Sequence, residues 1–208
     1  MYEEVITQLR DAYDQSAFKR QQSSIASWKL DERQAYFDLL RIEGKESLLE
    51  IGAGPGKDSQ FFQDQGIKVV STDLSPEMVQ LCRAKGLEAY EMDFLNLDFP
   101  DANFDAVYAI NCLLHVPTAD LPAVLRAIYR VLKPSGLFFF GVYGGFDSQG
   151  IWKEDHHIPK RFFTFYTDDR LLEIVSRTFQ LEDFKRIAVP DLSDPDMVFQ
   201  RLILRKKL

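Results

Sequence analysis

Residues 48–62 read LLEIGAGPGKDSQFF. An apolar, strand-like run, SLLEI at 47–51, enters a turn with glycines at 52, 54 and 56, and a helical pattern over 58–66 follows, stopped by Gly66. A bare-backbone turn between a strand and a helix lets main chain approach a ligand closely. A dinucleotide turn would read G-x-G-x-x-G, but position 57 is Lys. A P-loop would need G-x-x-x-x-G-K-[ST], which is also absent. Neither phosphate signature fits.

The rhythm continues outward from this turn. Strand patterns at 68–73, 87–93, 104–110 and 137–143 alternate with helical ones at 75–86 and 119–136. In the first of these helices Ser75 is the expected N-cap and Pro76 lies in the first turn. Apolar strands separated by helices predict a parallel sheet covered on both faces. A helix at 167–179 then precedes two strand patterns, LEDFKRIAV and MVFQRLILRK, with only PDLSDPD between them, which favours an antiparallel hairpin. The expected fold is a Rossmann-like α/β domain. It has a seven-stranded, mostly parallel sheet, helices on both faces and a C-terminal antiparallel hairpin. A single domain over 1–208 divides into a helical lid (1–40), a ligand-binding core (45–143), an irregular aromatic-rich insertion (144–166) and the C-terminal helix and hairpin (167–208).

The composition narrows the function. A net charge of −7 disfavours nucleic acid as the main partner. The longest apolar run, GLFFFGV, is too short for a bilayer, and the N-terminal stretch lacks a basic start and an apolar signal core. The expectation is a cytoplasmic protein without a membrane partner. Cys82 and Cys112 sit in apolar stretches and read as core residues. Adjacent His156 and His157 have no third ligand placed by spacing, so no metal is expected.

The pattern E-x-G-x-G-x-G, with Glu50 ahead of the glycines, resembles motif I of the class I S-adenosylmethionine-dependent methyltransferases. Asp73 closes the second strand 17 residues beyond Gly56, and MDF at 92–94 closes the third. FDAVYAINCLLHVP followed by VLRAIYRVLKPSGLFFF is similar to the family's next strand, helix and strand. The resemblance covers 45–143 and implies S-adenosyl-L-methionine as cofactor. It places Glu50, Gly52, Ala53, Gly54 and Gly56 around the cofactor's amino-acid end and Asp73 on the ribose. Leu74, Met78, Asp93 and Phe94 fall near the adenosine, and Asn111 and Leu113 near the methionine portion. In related enzymes N-terminal helices close over the cofactor, which makes Tyr13 and Arg20 lid contacts, with Trp28 and Arg33 packing on the sheet rim. With Ser75 capping the next helix, Asp73 is expected to be free for ligand.

His115 in LLHVP is the candidate general base, set against a purely structural histidine. Tyr143, Trp152, His156, Arg161 and Phe163 are the expected substrate-side residues. GVYGG followed by Trp152 and RFFTF resembles small-molecule methyltransferases of unassigned substrate. The expected activity is in-line methyl transfer to a small-molecule acceptor. A nicotinamide-dependent oxidoreductase, a non-catalytic cofactor-binding module and a protein or nucleic-acid methyltransferase stand as alternatives. The oligomeric state is not legible.

Overall fold

Leu48 and Leu49 are both fully buried, yet they belong to different cores. Side chains alternate across a strand, so this strand must be covered on both faces. In the computed structural model, which describes residues 2–189 and 196–207, that strand, β1 (Ser47–Ile51), lies mid-sheet. The order is β3-β2-β1-β4-β5-β9-β8, with β2 (Lys68–Asp73), β3 (Glu88–Glu91), β4 (Phe104–Ile110), β5 (Leu132–Gly144), β8 (Phe179–Ala188) and β9 (Val198–Lys206). The first five run parallel, and β9 enters antiparallel between β5 and β8.

One face carries Leu48, Ala106, Tyr108, Leu137 and Phe139 and packs on α2 (Ser27–Ile42) and α3 (Lys57–Asp64). Tyr36 of α2 is buried there and its hydroxyl donates to the Val107 carbonyl at 3.0 Å. Burying a large apolar side chain contributes roughly 1.5–3 kcal/mol, so this aromatic layer anchors α2 firmly. The other face carries Leu49, Val107, Ala109, Phe138 and Phe140 under α5 (Leu121–Val131) and α6 (Asp168–Ser176). The chain runs β1→β2→β3 to one side and returns to β4 on the other side of β1. The loops after β1 and β4 therefore part, which is where open α/β sheets bind ligands.

Three details differ from the sequence reading. The third strand ends at Glu91, because Asp93 turns the chain: its carboxylate accepts from the Leu95 and Asn96 amides at 2.8 and 3.1 Å. The helix read to 136 ends at Val131, since Pro134 disfavours helical backbone before it and Leu132 is already extended. The insertion is not irregular: β6 (Ser148–Ile151) and β7 (Phe162–Phe165) form a separate antiparallel hairpin. Of the short link read at 190–196, residues 190–195 lie outside the described residues. The hairpin of β8 and β9 itself is present. Ahead of the sheet, α1 (Tyr2–Gln22) crosses the ligand-binding edge and docks on α4 (Pro76–Ala84). Asp14 accepts from the Ser75 hydroxyl, and Arg10 pairs with Glu91 at 3.2 Å.

Candidate functional site

The two parted loops clamp each other at the switch point. A Cβ on Gly52 would stand 2.4 Å from Cys112 Cβ, so only glycine fits. The Cys112 thiol donates to the Ile51 carbonyl at 3.1 Å. Gly54, at φ +55°, would carry its Cβ into open space facing the cleft. Gly56 is different from its expected place. It begins α3 and packs against Cys82 and Leu87 of the α4 region, not the cleft.

Two adjoining cavities occupy this edge and share Arg20, Gly52, Gly54, Ile110 and Asn111. One, of about 40 Å³, lies beneath Leu9 and Tyr13 of α1 and is walled by Asp73, Leu74, Phe94, Cys112 and His115. The other, of about 250 Å³, is walled by Lys29, Glu50, Ala53, Lys57 and Asp58. Arg20, Lys29 and Lys57 bring three cations to this wall beside the acids Glu50 and Asp58. Two buried polar atoms here have no partner among the described residues: Arg20 Nε and Asn111 Oδ1. Buried polar groups are almost always paired, so these two point to a ligand.

The electrostatics separate the two ends. Burial pushes the Glu50 carboxyl well above the usual range, and the charge of Asp58 adds to this. Its hydrogen bond comes from the Ser59 hydroxyl of α3 rather than from loop amides. Burial also raises Asp73, against the backbone amides that hold it. Asp73 is not free as expected: Gly54 N–H donates to Oδ2 at 2.7 Å and Ser75 N–H to Oδ1 at 2.9 Å. Each carboxylate oxygen keeps a second lone pair for a ligand hydroxyl. Lys29 is pulled down to about 8 by burial, with the nearby Asp58 charge acting the other way.

His115 is fully engaged. Its Nδ1 lies 2.7 Å from the Phe162 carbonyl and must donate there, which leaves Nε2 to accept from the Tyr13 hydroxyl at 2.7 Å. Burial pulls its pKa down to about 3. The geometry thus redirects the expectation of a general base: no ring nitrogen is free to take a substrate proton, and a base so weak has little driving force. The Tyr13 oxygen also accepts from Arg161 Nη1 at 3.0 Å, and Arg161 makes a paired contact to Asp155 at 2.8 and 2.9 Å. Burial alone would raise Asp155, whose side chain is 4% exposed, but the Arg161 hydrogen bonds hold it well below the usual range. An unbroken chain therefore links the hairpin to α1 and to the loop after β4.

The other expected residues divide. Phe163 packs edge-on to His115 at 4.7 Å, with the Arg161 guanidinium over its ring. Trp152 packs behind it on Phe165. Tyr143 sits half-buried against Phe199, 5.5 Å beneath the Lys29 ammonium. Leu113 and Met78 are buried in packing and wall neither cavity, and Asp93 serves its own turn. His156 is exposed and faces a different cavity across α1. Trp28 packs on Phe199 of β9, and Arg33 pairs with Asp58 at 2.7 Å. The sequence reading missed Lys29 and the structural part played by Asp155. Lys29 carried a signal: a cation in the first turn of a helix opposes the helix dipole and needs another reason to be there.

Residues 49–140 match the family described as Methyltransferase domain. The chain is 36% identical over 99 residues to a ubiquinone biosynthesis O-methyltransferase of Xanthomonas oryzae pv. oryzae, covering 44% of this chain and 41% of that protein. It is 30% identical over 136 residues to a demethylmenaquinone methyltransferase of Tropheryma whipplei, covering 64% and 54%. The chain thus spans about half the length of the curated relatives it matches. In fold it resembles the 1,6-didemethyltoxoflavin-N1-methyltransferase of Burkholderia thailandensis, solved with its substrate and S-adenosylhomocysteine. The TM-score is 0.76 at 22% identity, over 100% of this chain and 91% of that one.

Proposed function

We propose that this chain, whose core belongs to the class I S-adenosylmethionine-dependent methyltransferases, transfers a methyl group to a small-molecule acceptor by in-line displacement. The observation that carries the reading is the polarity of the cleft. Lys29 and Lys57 stand with Glu50 and Asp58 in the larger cavity, the buried Asp73 carboxylate stands beside apolar Leu74 and Phe94 in the smaller, and Arg20, with its unpartnered Nε, borders both. Arg20 and Lys29 suit the cofactor's carboxylate, Glu50 its ammonium, Asp73 its ribose, and Leu74 with Phe94 its base. The Asn111 oxygen and the Gly54 backbone face the middle.

When bound, the sulfonium supplies an already activated methyl carbon. The protein's own task is to hold, align and exclude water; alignment alone supplies roughly 7–11 kcal/mol. The 40 Å³ left beneath α1 is far below the roughly 300 Å³ of a small ligand site. The adenosine end therefore fills only if α1 lifts and redocks, with Tyr13 latching it through His115 and Arg161; the adjoining 250 Å³ already admits the amino-acid end. His115 positions this latch and takes no proton. An acceptor nucleophile that is already unprotonated at neutral pH fits such a site. The acidic surface and the covered cleft favour small molecules over nucleic acid.

Calorimetric titration with S-adenosylhomocysteine tests the reading. Wild type is expected to bind. Asp73→Ala, which removes the ribose acceptor and the Gly54 anchor, and Gly54→Val, which forces a branched side chain to φ +55° inside the cleft, are each expected to bind at least about tenfold more weakly, a loss of roughly 1.4 kcal/mol. Unchanged affinity in either variant contradicts the assignment.

A further inference from the structure

Across α1 from the cofactor cleft lies a third cavity, of about 480 Å³. That volume falls within the range of sites for small molecules, roughly 300–1,000 Å³. One wall is a face of α1, with Ser16, Lys19 and Arg20, continued by Ser23; the other is the tip of the β6–β7 hairpin, with His156 and His157. None of the residues lining it carries a carboxylate. Lys19 and Arg20 line this concave site with no ion pair among the described residues, on a chain whose net charge is −7. Such a concavity focuses positive potential. Arg20 alone walls this cavity and both cofactor-side cavities, and its Nε is buried without a partner among the described residues. The tip is rigidly placed, because His157 Nδ1 lies 3.1 Å from Asp155 and its ring stands 6.0 Å from that of Tyr13.

We infer that this cavity seats the methyl acceptor, and that the acceptor is an anion, a small molecule whose carboxylate or phosphate group is held by Lys19 and by Arg20, whose five N–H donors are shared with the cofactor's carboxylate. Its part as acceptor site rests on the cofactor reading; its affinity for anions does not. Charge-assisted hydrogen bonds from a guanidinium and an ammonium are the strong ones, and Ser16 and Ser23 add neutral donors.

The test is calorimetric. Protein saturated with S-adenosylhomocysteine is titrated with inorganic pyrophosphate and, separately, with benzoate, in wild type, Lys19→Glu and Lys68→Glu. Lys68 is an exposed lysine at the start of β2, outside the cavity. At least one anion is expected to bind wild type, about tenfold more weakly to Lys19→Glu and unchanged to Lys68→Glu. Tighter pyrophosphate than benzoate identifies a phosphate acceptor, and the reverse a carboxylate. Absence of binding by both anions at millimolar concentration, or equal binding by Lys19→Glu and wild type, overturns the inference. Failure of S-adenosylhomocysteine itself to bind strikes the cofactor reading instead; the anion titrations then run on the unloaded protein and are judged by the same two outcomes.

Discussion

Replacing Tyr13 with Phe removes one oxygen and leaves the ring in place, so it isolates the latch. In the wild type that oxygen donates to His115 Nε2 at 2.7 Å and accepts from Arg161 at 3.0 Å. After the change Arg161 keeps its paired contact to Asp155. His115 Nε2 keeps nothing, and its ring is 1% exposed. A buried acceptor left unsatisfied costs about 1–3 kcal/mol. Tyr13 belongs to α1, while His115 and Arg161 belong to the body of the domain, so the cost falls on docking of α1. The latch is formed without ligand, so the cost reads as a shift of roughly 5- to 150-fold in the ratio of undocked to docked α1, by the conversion of 1.4 kcal/mol per tenfold. Hydrogen exchange of α1 amides should quicken in the same variant. Removing both partners, as Tyr13→Phe with His115→Phe, should cost less than the sum of the single changes by at least about 1 kcal/mol in a double-mutant cycle. Exchange of the α1 amides within twofold of wild type would refute the latch.

Gly52→Ala should destabilise the fold by roughly 2–4 kcal/mol, from overpacking against Cys112 and a strained φ of +67°, read as a lower denaturant midpoint at constant slope. Cofactor binding should also move protons. The ligand's ammonium favours ionised Glu50, whose pKa is raised by burial, so binding at a pH above the usual carboxylate range should release protons. The ligand's carboxylate favours charged Lys29, whose pKa is about 8, so binding between pH 8 and 9 should take protons up in wild type relative to Lys29→Met. Calorimetry in buffers of different ionisation enthalpy reads both signs, and a binding enthalpy independent of buffer at both pH values would count against these placements.

The parts of the fold built from local pattern were legible in the sequence. The apolar runs of β1, β2 and β4 need cover on both faces whatever follows them, and the glycines of the turn exclude side chains that Cys112 and the cleft would meet. The ligand-binding edge was legible for the same reason, since Glu50, Asp73 and Asn111 stand at strand ends that the order of elements brings together. What escaped was set by contacts distant along the chain. His115 looked available because its partners lie 102 and 47 residues away. Asp73 looked free because the Gly54 amide, 19 residues back, is invisible to helix-capping logic. The β6–β7 hairpin escaped for the same reason: Phe162 and Thr164 bond to His115 and Val116 in the loop after β4, 47 and 48 residues back.

The most direct measurement is a crystal structure of the protein grown with S-adenosylhomocysteine. The account predicts the ligand between α1 and the sheet edge, with its carboxylate at Arg20 and Lys29, its ribose on Asp73 and its base against Phe94. Density for the ligand elsewhere, or in the reverse direction along the cleft, would contradict it.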